Sequence, residues 1–333
     1  LHRNKRSLTL NLKSPEGVKI FYELVKTADV VVENYRPDVK FRLGIDYETL
    51  KAINPRIILV SISGFGEDGP YASRPGLDQI AQGLSGLMSV TGKAGEGPMR
   101  AGAAIADVTA GLLGGLGVLT ALLEREVSGQ GQWVQSNLLS AGLTLLDFQA
   151  ARYTIANDVP KQMGNDHPSY MPTSAYPTKD GFINIAVTGS SGLENFCRVT
   201  GRDDLWQDMQ YKTPKGRSDH RHNLNQALSK MTLEKTTADW MDIFLGGQIA
   251  CGPIYQMDEV FADPQVKHLQ STVAVTHPEL GELNLLNQGV KLTRTPAKIV
   301  SSSPLQGQHT NEVLEEMGYT EEQITDLRTK AVI

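Results

Sequence analysis

The first third of the chain alternates β-branched apolar runs with segments of helical period. Residues 29–33 (DVVVE) and 56–62 (RIILVSI) are nearly continuous apolar stretches, the pattern of strands covered on both faces. Residues 7–12 (SLTLNL) alternate apolar and polar positions, which predicts a strand with one buried face. Between them, Ser14-Pro15-Glu16 opens a predicted helix running to Lys26, with Ser14 as cap and proline in the first turn. A second predicted helix, 47–53, is stopped by Asn54-Pro55. This β-α-β-α-β rhythm implies an α/β fold with a parallel sheet and helical crossovers. A Gly- and Pro-rich loop follows at 63–76 (SGFGEDGPYASRPG), and a loop leaving a parallel strand lies where open α/β sheets bind ligands. Helices are expected at 77–86, 107–127 and 136–156, with a short strand at 133–135.

The rhythm changes after Ala156. Residues 157–172 are polar and read as a linker. Residues 173–187 read as a hairpin about Lys179-Asp180-Gly181. Helices at 193–200, 222–231 and 236–245 and short strands within 271–290 complete a smaller α+β domain. An amphipathic helical tail spans 310–328. The expected division is a large domain of 1–156 with 290–333, a linker at 157–172 and a small domain at 173–289.

Composition narrows the function. A chain of 333 residues, 40% apolar, suffices for two hydrophobic cores. The formal charge is −5 and there is no basic stripe, which argues against nucleic acid as the main partner. Cys197 and Cys251 fit neither a metal spacing nor a disulfide framework, so they read as buried thiols in a reducing compartment. The seven histidines are dispersed, with no HExxH pattern, and no metal is expected. A GxSxG elbow is also absent. Residues 101–123 are apolar enough to suggest a membrane span, but they contain Asp107 and are rich in Gly and Ala. They are expected to form a closely packed buried helix, with no membrane partner. The first residues show neither an initiator Met nor an apolar signal core, and read as a cut into a longer sequence.

Two roles suit Asp107 at the start of that helix. One is a cap, the commoner role of Asp there; the other is a nucleophile, whose ionised form helix N–H groups favour. Gly64, Gly66 and Gly69 match GxGxxG spacing, but Pro70 follows and no helix opens, so the dinucleotide context is missing. Lys13, Arg36 and Arg42 with Tyr35 put positive charge and an aromatic ring near one sheet edge, which suits an adenine ring and phosphates as well as a solvated surface.

Taken in order, NKRSLTLNLKSPEG, ADVVVENYRPDVKFRLG, INPRIILVSISGFGEDGP, RPGLDQIAQGLSGLMSVTG, GAAIADVTAGL, SGQGQWV and PLQGQHTNEVLEEMGY resemble the class III CoA-transferases across essentially the whole chain. The resemblance implies a Rossmann-like large domain, an inserted small α+β domain and an interlocked homodimer. It also implies an upstream strand–helix unit with a CoA-contacting arginine, which this sequence does not contain. The nucleophile falls on Asp107. CoA contacts fall on Leu10, Leu12, Lys13, Asn34, Tyr35, Arg36, Arg42, Arg74 and Asp78. His167 and Tyr170 resemble part of the linker into the small domain and are candidate acyl-substrate contacts; a local hydrogen-bonding role for His167 is the plainer reading. Implied partners are acyl-CoA and a small carboxylic acid such as succinate or a hydroxy acid, with no tightly bound cofactor. The location implied is cytoplasmic or, in a eukaryote, the mitochondrial matrix. A related α-methylacyl-CoA racemase would carry His where this chain has Leu77, and leucine accepts no proton. A non-catalytic CoA-binding protein is the other alternative.

Overall fold

The computed structural model describes residues 2–333. The chain divides into two compact units. The first runs through Ala81 and resumes at Ile105–Ala141 and Asp258–Ile333; the second comprises Gln82–Ala104 and Gly142–Met257.

The first unit is built on a parallel sheet, β1 (Val30–Glu33), β2 (Ile58–Ser63) and β3 (Trp133–Asn137), with β2 in the middle. The apolar continuity of β2 has a direct cause. Leu59 packs with Val25 of α1 (Pro15–Val25) and Leu50 of α3 (Tyr47–Ile53). Ile58 and Val60 pack with Ala121 of the long α6 (Ile105–Ser128). Both faces are covered, so no polar alternation is required. Between β1 and α3 lies α2 (Pro37–Leu43), which the hydrophobic pattern did not reveal. After β2 come α4 (Asp78–Leu84) and the single turn α5 (Leu87–Val90).

Small residues let α6 lie close to the sheet: Ala106, Ala110, Gly114 and Ala121 are buried, and a Cβ at Gly117 would meet Val134 Cγ1 at 2.6 Å. Arg125 is buried at the far end and pairs with Asp29 at 2.7 Å. The helix is long and apolar enough to cross a membrane by length and composition. Its small-residue face nevertheless belongs to this core. The other face, Val108, Leu112, Leu116, Leu119, Leu123 and Val127, is exposed.

Three expectations are corrected. Residues 7–12 form no strand. Their backbone finds scattered partners near the C-terminal end instead of a ladder: Ser7 N–H donates to His309 Nδ1, Thr9 N–H to Thr310 Oγ1 and Asn11 N–H to Val332 O. Leu10 packs against a core that includes Ile20 and Leu314. Ser14 precedes α1 but makes no side-chain cap; its hydroxyl donates to Glu16 Oε2 at 2.9 Å. The expected helix at 136–156 is two helices, Leu138–Leu146 and Phe148–Ala156, broken at Asp147 with φ of 42°.

The second unit holds an antiparallel sheet of β4 (Thr173–Pro177), β5 (Phe182–Ala186) and β6 (Ala250–Pro253). Its core includes Tyr176, Ile183, Ile185 and the stacked rings of Phe196, Phe244 and Trp240. A separate hairpin, β7 (Thr272–His277) and β8 (Gly281–Leu286), belongs to the first unit.

Candidate active site

The carboxyl ends of the three parallel strands are tied to one another. Beyond β1, the Asn34 amide donates to Ile62 O at 2.5 Å, and Tyr35 N–H donates to Glu33 Oε2 at 2.8 Å. Beyond β3, Leu139 N–H donates to Gly64 O at 3.2 Å. The loop leaving β2 is pinched at its base, where Gly64 and Gly76 cross. A Cβ on Gly64 would lie 2.6 Å from Gly76 Cα, and one on Gly76 would lie 2.4 Å from Gly64 Cα. Close backbone approach is what glycine is needed for here. Within the loop, the Arg74 guanidinium sits 3.6 Å from the Tyr71 ring centroid, and Phe65 meets Tyr71 edge-on.

Lys13 and Arg42 come together around one cavity of about 770 Å³, with Leu12, Lys19 and Tyr22 among its other lining residues. The segment before α1 lies against that helix because Gly17 has no Cβ; one would meet Asn11 O at 2.1 Å. Tyr22 is held by donating to Gly44 O at 2.8 Å. Among the described residues Arg42 has only a long ion-pair contact, with Asp38 at 3.8 Å, between exposed side chains. Lys13 and Lys19 have no ion pair among the described residues. Three cations facing one cavity suit a polyanion. Lys19 and Tyr22 were missed in the sequence, yet a signal exists: Pro15, Val18, Lys19 and Tyr22 follow i, i+3, i+4, i+7 spacing and share one helix face.

Asp107 is the third residue of α6, in its first turn, with an exposed side chain. It is not the cap. That duty falls to Asp78 at the start of α4, whose Oδ1 accepts the N–H groups of Ala106 at 2.8 Å and Asp107 at 3.4 Å. Ala81, Ala106 and Ala110 let the two helices approach closely enough for this. The Asp107 carboxylate accepts no hydrogen bond among the described residues. Partial desolvation first, and the Asp78 carboxylate second, hold its carboxyl above the usual aspartate range. Leu77, beside Asp78, is exposed and supplies no base.

A pH prediction follows from that arrangement. A raised carboxyl is ionised only above its raised value, so a reaction needing the anion is lost on acidification earlier than an ordinary aspartate would dictate. Asp78→Asn keeps an oxygen acceptor for Ala106 N–H and removes the neighbouring charge. The acid limb of the kcat/KM–pH profile is expected to move to lower pH in this variant. An unmoved limb means that Asp78 does not tune the reacting carboxyl.

His167 and Tyr170 belong to the second unit and lie together, ring centroids 4.9 Å apart, with Phe148 stacked on His167 at 5.8 Å. His167 Nδ1 accepts the N–H groups of Ser169 and Tyr170, each at 3.1 Å. Among the described residues no three His, Cys, Asp or Glu side chains converge to hold a metal ion.

A model of CoA-transferase family III matches residues 1–310. The human succinyl-CoA:glutarate CoA-transferase is 34% identical over 334 residues, an alignment taking in 100% of this chain and 76% of that protein. The succinate–glutarate CoA-transferase of Agrobacterium fabrum is 36% identical, covering 95% of this chain and 79% of its own. Among solved structures, a CAIB/BAIF family protein from Brucella suis superposes with a TM-score of 0.85 at 32% identity, over 95% of this chain and 82% of that one.

Proposed function

The chain belongs to CoA-transferase family III and is a CoA-transferase, and on that premise we propose that it hands coenzyme A from an acyl-CoA such as succinyl-CoA to a second dicarboxylate such as glutarate, with Asp107 as nucleophile. The observation that carries the Asp107 assignment is its free carboxylate at the first turn of α6, where Asp78 already fills the cap role. Asp107 attacks the donor's acyl carbon and expels CoA thiolate, leaving a mixed anhydride. The thiolate attacks the aspartyl carbonyl, releases the donor's carboxylate and forms an aspartyl-CoA thioester. The acceptor carboxylate attacks that carbonyl, expels the thiolate again and forms a second anhydride. Attack by the thiolate on the acceptor's acyl carbon yields the new acyl-CoA and regenerates Asp107. Each step exchanges one acyl leaving group, the logic of covalent catalysis. The Lys13–Lys19–Arg42 cavity suits the nucleotide phosphates of CoA, and Asn34, Tyr35, Arg36 and Arg74 the rest of its contacts.

The same reading makes the enzyme a homodimer. The exposed apolar stripe of α6 supports a second copy as its cover, because a contiguous apolar face of this length is unusual on a free surface. Sedimentation equilibrium is expected to give twice the chain mass of 36.3 kDa, and a monomer at micromolar concentration contradicts it. The free thiols of Cys197 and Cys251 suit a reducing, soluble compartment.

Succinyl-CoA offered with glutarate, other dicarboxylates and a monocarboxylate control tests the function. The expected result is a new acyl-CoA for at least one dicarboxylate. Transfer to none of them overturns the reading, and deuterium entering the α-carbon of a 2-methylacyl-CoA would point to racemase chemistry.

A further inference from the structure

The helix α2 has one buried residue, and it is a lysine. Lys40 is fully enclosed, and lysine is almost never so buried without charge partners. Its ammonium meets Glu67 Oε2 at 2.5 Å and faces Glu33 Oε1 at 3.2 Å, both carboxylates being nearly inaccessible. Each contact belongs to a different segment. Glu33 ends β1 and, through Oε2, accepts the N–H of Tyr35. Glu67 lies in the glycine-pinched loop beyond β2, the loop that carries Arg74. Lys40 also donates to Pro37 O at 3.4 Å, within its own helix. Two residues further on, Arg42 lines the cation-rich cavity. Phe41 is exposed and Val39 and Leu43 are only partly buried, so the one fully buried side chain of α2 is a charged one.

We propose that Lys40 is a positioning residue for coenzyme A: its ammonium, clamped between Glu33 and Glu67, fixes the Tyr35–Arg36 turn, the Arg74 loop and Arg42 in one arrangement before the ligand arrives. This rests on the CoA-binding reading above and concerns how that site is held. An apolar anchor would stabilise α2 equally well. A buried ion triad instead specifies geometry, because each carboxylate is directional and loses heavily if displaced. Glu67 Oε1 has no hydrogen-bond partner among the described residues, and without the lysine two buried like charges would repel the two loops apart. Preorganisation of this kind lowers the ordering cost of binding and therefore shows in affinity.

Two variants test it beside the wild type. Lys40→Met cuts the clamp but leaves two unbalanced carboxylates and is liable to misfold. Lys40→Met with Glu67→Gln cuts the same clamp while keeping the cluster at one net negative charge. Coenzyme A is the probe, titrated calorimetrically against the full chain, with kcat and both KM values measured alongside. In the double variant the Kd for CoA and the donor KM are each expected to rise about tenfold, with acceptor KM and saturated kcat held within about threefold. A purely structural role would lower the unfolding midpoint and leave CoA affinity and donor KM at wild-type values, and that result overturns the proposal. The CoA-binding reading fails separately, if the wild-type enzyme itself shows no binding of coenzyme A.

Discussion

Asp107→Ala is expected to lower CoA transfer by more than about ten-thousand-fold while leaving CoA binding within about twofold. Every step of the proposed sequence passes through an acyl bond to the Asp107 carboxylate. Alanine offers no oxygen for the first attack, and no neighbour takes its place: Asp78, the nearest candidate, is bound to the first N–H groups of α6. Asp107→Asn is expected to fail almost as completely, because an amide is a poor nucleophile. Neither change should unfold the protein. The Asp107 side chain is exposed, the helix cap belongs to Asp78, and loss of a like charge beside Asp78 relieves repulsion. A full loss of rate with an unchanged unfolding midpoint is therefore the expected pair of results, and retained transfer in Asp107→Ala would exclude the anhydride route.

The second large effect is expected at the cation cavity. Replacing Lys13, Lys19 and Arg42 together by Met should raise the donor KM by about a hundred- to a thousandfold, at roughly tenfold for each phosphate contact. Phosphate contacts remote from the reacting carbonyl bind ground and transition states alike, so kcat at saturation should change little. The wild-type KM should also rise with ionic strength, and the triple variant should lose most of that dependence. A triple variant with wild-type KM would remove the nucleotide from this cavity. Lys19 separates this geometry from motif matching, since it entered as a wall of the cavity rather than through any motif.

What the sequence conveyed followed the range of the interactions involved. The strands β1 and β2 were legible because burial on both faces leaves a continuous apolar run. The helix α6 was legible from its long apolar run, although it begins at Ile105 rather than at the expected 107. Residues 7–12 misled because alternation reports one buried face and not a ladder; that face packs toward the C-terminal end, some 300 residues away, through contacts such as Ser7 with His309. The strand β6 (ACGP) is too short and too rich in Gly and Pro to stand out. Within the site, motif order singled out Asp107 and the Asn34–Arg36 turn as candidates. It did not reveal the capping of α6 by Asp78, since that joins helices whose facing residues are 28 apart. The Lys40–Glu33–Glu67 cluster was hidden for the same reason. In sequence its members look like solvated surface charges, and only the fold brings them together and excludes water.

Chemical capture tests the nucleophile most directly. Hydroxylamine added during turnover with succinyl-CoA attacks an aspartyl anhydride or thioester and leaves a hydroxamate on the residue that formed it. Tryptic cleavage after Arg100 and Arg125 yields a peptide with only two carboxylate side chains, Asp107 and Glu124, and fragment ions separate them. The result expected is a hydroxamate on Asp107, dependent on acyl-CoA and absent when free CoA replaces it. An enzyme that transfers CoA but carries the hydroxamate elsewhere, or nowhere, would contradict Asp107 as the group through which the acyl chain passes.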